Sequence, residues 1–347
     1  MEYRNNTRQV LWLAALIALA IAAFMARLSV GPSIASWAQM LQILTGGPRP
    51  AGVSPELLLE FRLPQAIAAG LAGAALALSG LQMQTVFQNP LAGPWVLGIV
   101  AGSQFGVTLL VVSGALFGLQ LSGALSPVSL SGITAAAGIG GLFALAGALK
   151  LARHVSSVML LVCGLLFSSI LDGLRGFLIH LVDVRYEMLF LSWNQAGFGG
   201  VTWPQLRVFG LTVLAGCLLA IGLSKSLNGL LLGSEYARSL GINLTRVRRL
   251  SLLSTILLGG AATAFCGAVL FIDLAVPHFC RSLFRTTDHR ILVPTTVLVG
   301  ASMALLADSA VGLMQGNEVL PVNIITCLLG GPIVLWVLLR GERGQTI

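Results

Sequence analysis

The chain has 347 residues, of which 56% are hydrophobic and only 9% charged, with 41 glycines. Polar side chains are too few to cover a soluble core, which excludes a soluble enzyme or binding domain and predicts an all-α polytopic membrane protein. The formal net charge of +8 does not point to nucleic acid: the basic residues stand singly between apolar runs, and basic loops at a bilayer surface account for them.

Residues 10–28 form an apolar run behind the basic start Arg4 and Arg8. They read as a first membrane helix rather than a signal peptide, since no small-residue cleavage pattern follows. A Pro/Gly-punctuated external loop (29–61) leads into a second span, 63–86, opened by Arg62-Leu63-Pro64. After the breaker QNPLAGP (88–94), a third span carries Gly98, Gly102 and Gly106 at four-residue intervals, a pattern that brings another helix close. A fourth span covers 130–149 and a fifth 155–181. The fifth contains Asp172 and Arg175, two costly intramembrane charges that form either a mutual pair or part of a hydrated path.

Residues 183–204 are expected to be a long exposed connection, followed by a sixth span at 206–223. Next comes a polar, small-residue island, LLGSEYARSLGIN (231–243). It has a Glu235–Arg238 pair at i,i+3 and a stop at Gly241, the pattern of a short helix outside the bilayer. A seventh span is predicted at 250–271, then a short or re-entrant segment at 273–284 broken at Pro277. Two last spans occupy 291–314, with Asp308 near its far end, and 320–339.

Counting the short segment gives ten spans. With the N-terminus inside, only Arg27, Arg49, Arg62, Arg175, Arg185 and Arg207 of the 20 basic residues fall on outer loops or outer ends of spans. The positive-inside rule therefore predicts ten helices with both termini cytoplasmic. Neither lysine ends a phosphate-binding loop, and no H-E-x-x-H or G-x-S-x-G pattern occurs, so this chain is not expected to hydrolyse nucleotide or to be an enzyme. The four histidines, far apart in sequence, are read as interfacial or hydrogen-bonded residues rather than metal ligands, and the five cysteines as small core residues.

Several runs, in order, carry a resemblance: Arg62-Leu63-Pro64, GAALALSGLQMQTVFQNPLAGPWVLGI (73–99), the island at 231–243, VPH (276–278) with TDHR (287–290), and LLAD (305–308) with LPV (320–322). Together they resemble the FecCD-type permeases, membrane subunits of ABC importers for iron-siderophores, haem and cobalamin. The resemblance covers nearly the whole chain. It implies a single permease domain over 1–347, with a family core of about 10–340 and the type II ABC importer fold. It also implies a second permease copy around a central path, two cytoplasmic ABC ATPase subunits, and a periplasmic or lipid-anchored substrate-binding protein. No cofactor is expected on this chain; ATP and Mg belong to the ATPase.

By the same resemblance the island is the coupling helix seated in an ATPase cleft, with Gly233, Glu235, Ala237, Arg238 and Gly241 as its residues. Ser156 and Ser157 fall at the cytoplasmic gate, while Gly197, Gly199 and Gly200 fall at an outer gate where the family has a short helix near Trp193 to Trp203. Packing is the alternative for both. Arg62 fits docking of the binding protein, although Gln65 and Gly312 stand where other members carry arginine, leaving Arg49, Arg185 or Arg207 to help. Asp273 replaces a usual glycine and either caps a helix start or faces the channel.

The resulting expectation is an importer permease of the bacterial inner membrane moving iron-siderophore or haem. Cobalamin is the close alternative because of GFGGVTW (197–203). A competing class is an ion-coupled secondary transporter with Asp172, Arg175 and Asp308 as a relay.

Overall fold

The computed structural model describes residues 2–31, 36–45, 54–117, 130–151, 155, 157–314 and 320–344. Regular structure among these is entirely helical. We number the helices α1 (Glu2–Ser29), α2 (Trp37–Leu44), α3 (Pro55–Phe87), α4 (Ile99–Leu116), α5 (Leu130–Leu151), α6 (Ser157–His180), α7 (Val184–Asn194), α8 (Trp203–Leu231), α9 (Ser234–Ser239), α10 (Leu244–Cys266), α11 (Ile272–Phe284), α12 (His289–Met314) and α13 (Asn323–Gly344). Two of them contain a π turn, Leu58–Arg62 in α3 and Ile256–Gly260 in α10.

Seven helices among the described residues are long and apolar enough to cross a membrane: α1, α3, α4, α6, α8, α10 and α12. Shorter apolar stretches lie in α5 (Gly132–Ala148) and α13 (Asn323–Leu335). The bundle is built around α3, whose most apolar window is 83% buried, whereas that of α6 is only 6% buried. The sequence of α3 explains its place, since from Gly73 to Phe87 every residue is buried and most are Ala, Gly, Ser or Leu. Without a hydrophobic force between helices in lipid, such small residues bring backbones into van der Waals contact.

Two such contacts hold the bundle. Gly73 of α3 and Gly300 of α12 face each other so closely that a Cβ on either would strike the other's carbonyl. Gly102 and Gly140 do the same for α4 and α5, and Gly106 sits against the Ala136 carbonyl. The regular glycine spacing expected across 98–106 is therefore used at two of its three positions. Gly98 does something else: it adopts φ +77 between a 3₁₀ turn, Pro94–Leu97, and the start of α4, facing α6. Pro94 and left-handed Gly98 separate this turn from the span, so α4 begins at Ile99 and not at Trp95.

Several boundaries differ from the sequence expectation. Residues 183–204 are not a loop, because Asp183 accepts from the Arg185 N–H as an N-cap and α7 follows. Helix α8 continues well past residue 223 to Leu231, carrying Lys225 and Asn228 on its last turns. The seventh span ends at Cys266, not at Phe271. Gly267, at φ +74, starts an extended crossing that α11 resumes at Ile272, and Pro277 lies inside α11 instead of breaking it.

That interruption needs partners for its backbone. Asn323 supplies them, donating to the Ala268 carbonyl (2.7 Å) and accepting from the Leu270 N–H (3.0 Å), and the Gly197 N–H donates to the Cys266 carbonyl (3.0 Å). At 13 residues α11 is about 20 Å long, short of a bilayer core of about 30 Å.

Candidate functional site

The island at 231–243 folds as the short helix α9, held at both ends by glycines with positive φ, Gly233 (+97) and Gly241 (+77). Its C-terminus is a Schellman cap: the Ile242 N–H donates to the Ala237 carbonyl (3.1 Å) and the Gly241 N–H to the Arg238 carbonyl (2.9 Å). Ala237 is fully buried and Ile242 packs against Gly229 of α8 with no room for a Cβ there, so α9 is clamped to the end of α8. Arg238 donates to Glu235 at 3.1 Å while both side chains stay exposed. The sequence reading missed the apolar half of this surface. Leu231, Leu232, Tyr236 and Leu240 are all exposed around the helix, and Tyr236 and Leu240 share one face by their i,i+4 spacing. Their signal in the sequence was the leucines at each end of the polar run and the tyrosine four residues before Leu240.

A polar cluster lies immediately behind α9. Asn228 donates through Nδ2 to Asp288 Oδ1 (2.6 Å), and its Oδ1 accepts from the backbone N–H of His289 (2.8 Å) and lies 2.8 Å from His289 Nδ1. Because the backbone N–H can only donate and Asp288 accepts, the Asn228 amide has one orientation. His289 Nε2 lies 2.9 Å from the Thr85 hydroxyl of α3. Gln88, at the end of α3, donates to the Leu230 carbonyl (3.1 Å). Asp288 titrates below its usual range: partial burial opposes its charge, but the Arg290 backbone N–H, the Asn228 amide and the nearby Arg290 and His289 charges outweigh that burial. Elsewhere on the α11 side, Arg281 donates to Gln84 (2.6 Å) and His278 Nε2 lies 2.9 Å from the Pro90 carbonyl, so His278, like His289, is a hydrogen-bonded histidine.

Of the two residues placed at the cytoplasmic gate, Ser156 is outside the described residues, as are His154 and Arg49, and Ser157 opens α6. The neighbouring Val155 carbonyl accepts from Arg248 of α10 (3.1 Å). At the outer stretch, Gly197 and Gly200 are exposed and Gly199 lies near Gln65. The short helix expected at 193–203 lies upstream instead, as α7, whose last residues are Trp193 and Asn194; 195–202 is a turn tied to Cys266.

The three intramembrane charges do not meet. Asp308 pairs with Arg27 of α1, both almost fully buried, and accepts from Gln65 (3.3 Å). Asp172 and Arg175 pair with each other (3.3 Å), with Arg175 also 5.5 Å from the Phe190 ring centre. A relay through all three has no continuity in this fold. Arg62, expected on the docking surface, is instead buried. Its Nη1 donates to the Leu28 carbonyl (3.3 Å) and its guanidinium fills the space beside Gly31. The π turn that ends at Arg62 inserts an extra residue ahead of the span and so changes the face on which this side chain emerges. Asp273 is also buried, on the first turn of α11, with its carboxylate against Gly93 of the turn that follows α3.

A coupling-type helix, a glycine-packed bundle and a broken α10–α11 crossing are now in one chain, and the family model described as the FecCD transport family matches residues 18–340. The chain belongs to the FecCD transport family. Among its relatives, the vitamin B12 import system permease protein BtuC of Salmonella paratyphi A is 34% identical over 343 residues, covering 98% of each chain, as is that of Salmonella typhi. The protein of the same name from Klebsiella pneumoniae is 35% identical over 289 residues, covering 82% of this chain and 83% of the relative. A solved structure of an inward-facing transporter, provisionally classed as of the metal-chelate ABC type, superposes with a TM-score of 0.81 at 27% identity, covering 94% of this chain and 98% of that one. This FecCD member is thus an ABC importer permease and not an enzyme; ATP hydrolysis belongs to a separate ATPase subunit.

Proposed function

We propose that this FecCD permease imports cobalamin across a bacterial inner membrane. The observation that carries the reading is the 34% identity to vitamin B12 permeases over 98% of both chains. It reverses the order expected from sequence, where iron-siderophore and haem stood first. In this reading the whole chain is one permease domain with ten spans, in which α11 is the short one, and with both termini cytoplasmic. Two copies enclose the path, a substrate-binding protein delivers cargo outside, and two ATPase subunits bind ATP and Mg inside; the permease itself holds no cofactor.

The 231–243 island is the coupling element, presenting Glu235, Arg238, Tyr236 and Leu240 to the ATPase. Gly241 keeps it rigid: Gly241→Ala would place a Cβ in left-handed backbone, at a cost of about 1 kcal/mol. Ser156 and Ser157 serve the inner gate and the Gly197–Gly200 turn the outer one. With Arg62 buried, docking of the binding protein falls to the exposed Arg185 and Arg207.

Uptake of labelled cyanocobalamin into cells that lack their own cobalamin permease, supplied with this chain and its partner subunits, tests the cargo. Cyanocobalamin is expected to accumulate and a ferric siderophore is not. Accumulation of the ferric siderophore or haem without cyanocobalamin overturns the assignment.

A further inference from the structure

One turn at the end of α8 makes three contacts with three different parts of the molecule. Asn228 bonds Asp288 and His289 at the entrance to α12. Gly229 receives Ile242, the residue just beyond the Schellman cap of α9. The Leu230 carbonyl accepts from Gln88, which ends α3 in left-handed backbone (φ 48). Helices α3 and α12 are themselves locked together by Gly73 and Gly300. Any displacement of α9 therefore enters α8 at Gly229 and leaves, within one residue on either side, into the central helix pair. Apolar contact alone would let α9 slide; a short amide–carboxylate bond with a second bond to a backbone N–H fixes direction and distance.

We infer that the Asn228–Asp288–His289 cluster is the joint that passes movement of α9 to α3 and α12, with Asn228 as its positioning residue. This rests on reading α9 as the ATPase contact. Asn228 touches neither cargo path nor partner in this role; it keeps the end of α8 and the start of α12 moving as one piece. Thr85 extends the joint, because the same His289 ring that faces Asn228 through Nδ1 faces the α3 hydroxyl through Nε2. Asp288 is held in turn by its own backbone turn, accepting from the Arg290 N–H (2.9 Å), so its carboxylate is pre-aimed at Asn228.

The hydrogen-bond pattern separates two variants of similar size. Asp288 Oδ1 accepts from both the Asn228 amide and the Arg290 N–H, so Asp288→Asn keeps an oxygen that takes both bonds. Asn228→Asp instead removes the donor and sets two carboxylates against each other.

The test uses the full permease–ATPase complex in proteoliposomes. The cargo is whichever of cyanocobalamin, a ferric hydroxamate or haem the wild type transports, and the ratio of cargo moved to ATP hydrolysed is measured. Asn228→Ala, Asn228→Asp and Asp288→Ala are expected to retain copurified ATPase and its hydrolysis while the ratio falls at least fivefold. Asp288→Asn, which keeps the accepting oxygen, is expected to stay within about twofold of wild type. A wild-type ratio in the three disrupting variants, or Asp288→Asn falling as far as Asp288→Ala, overturns the proposal. Failure of the underlying reading looks different: Tyr236→Asp with Leu240→Asp on α9 would then leave ATPase copurification intact.

Discussion

Asp308 shows how much a single side chain's meaning depends on its neighbour. Seen along the chain it is an acid near the end of a span, a candidate for proton or ion traffic; in the fold it meets Arg27, 281 positions away, and both are almost fully buried. Removing one partner strands the other charge. Asp308→Ala is therefore expected to destabilise by about 3–5 kcal/mol, while joint replacement by apolar residues, Arg27→Met with Asp308→Leu, costs much less. Thermal unfolding in detergent, with the double-variant comparison, measures this. If Asp308→Ala unfolds like wild type but transport stops, the acid belongs to the cargo path instead. Glu235 and Arg238 were legible as a pair from their spacing alone, because i,i+3 on a helix fixes proximity whatever surrounds it.

At the scale of helices, small-residue spacing was legible but the identity of the partner was not. The third span's glycines announced a close neighbour, and that neighbour is α5 through Gly140. Nothing in the run AAGLAGAALALSG announced α12, since its pairing through Gly73 and Gly300 needs two segments more than 200 residues apart to meet. Gly300→Val is expected to force α3 and α12 apart, costing at least the 1–3 kcal/mol typical of overpacking. The yield of monodisperse protein on size-exclusion chromatography should fall, and a Gly147→Val control, where nothing lies within 4 Å of the added Cβ, should not change it. Helix ends were read least well. The break at Gly267 depends on backbone partners supplied from elsewhere, Asn323 and Gly197, whereas α7 is started by its own Asp183 cap, a local signal that the loop expectation overlooked.

For the molecule as a whole, the least buried span decides what is missing from a single chain. Helix α6 is 6% buried, yet it carries Asp172, whose side chain is 47% exposed even when paired. A half-exposed ion pair within a span is costly against lipid, so this face of α6 is expected to meet water or a second copy. Asp172→Cys, placed in a chain without the native cysteines, is expected to react in membranes with a charged thiol reagent at least tenfold faster than Leu214→Cys on the exposed apolar face of α8. Equal protection of both positions would put α6 in lipid and remove the argument.

Composition and charge order were enough to determine that this chain is a membrane bundle and to suggest its orientation, because lipid imposes length, apolarity and loop charge on each span separately. Local chemistry likewise determined the island, since a Gly-bounded polar helix needs only its own caps. Contacts between distant segments were decided by the tertiary structure alone: Arg27 with Asp308, Gly73 with Gly300, Asn228 with the start of α12, and the withdrawal of Arg62 from the surface. The physical reason is the same in each. In a bundle without a hydrophobic force between helices, partners are chosen by shape and by polar groups that must find each other, and neither is written within one span.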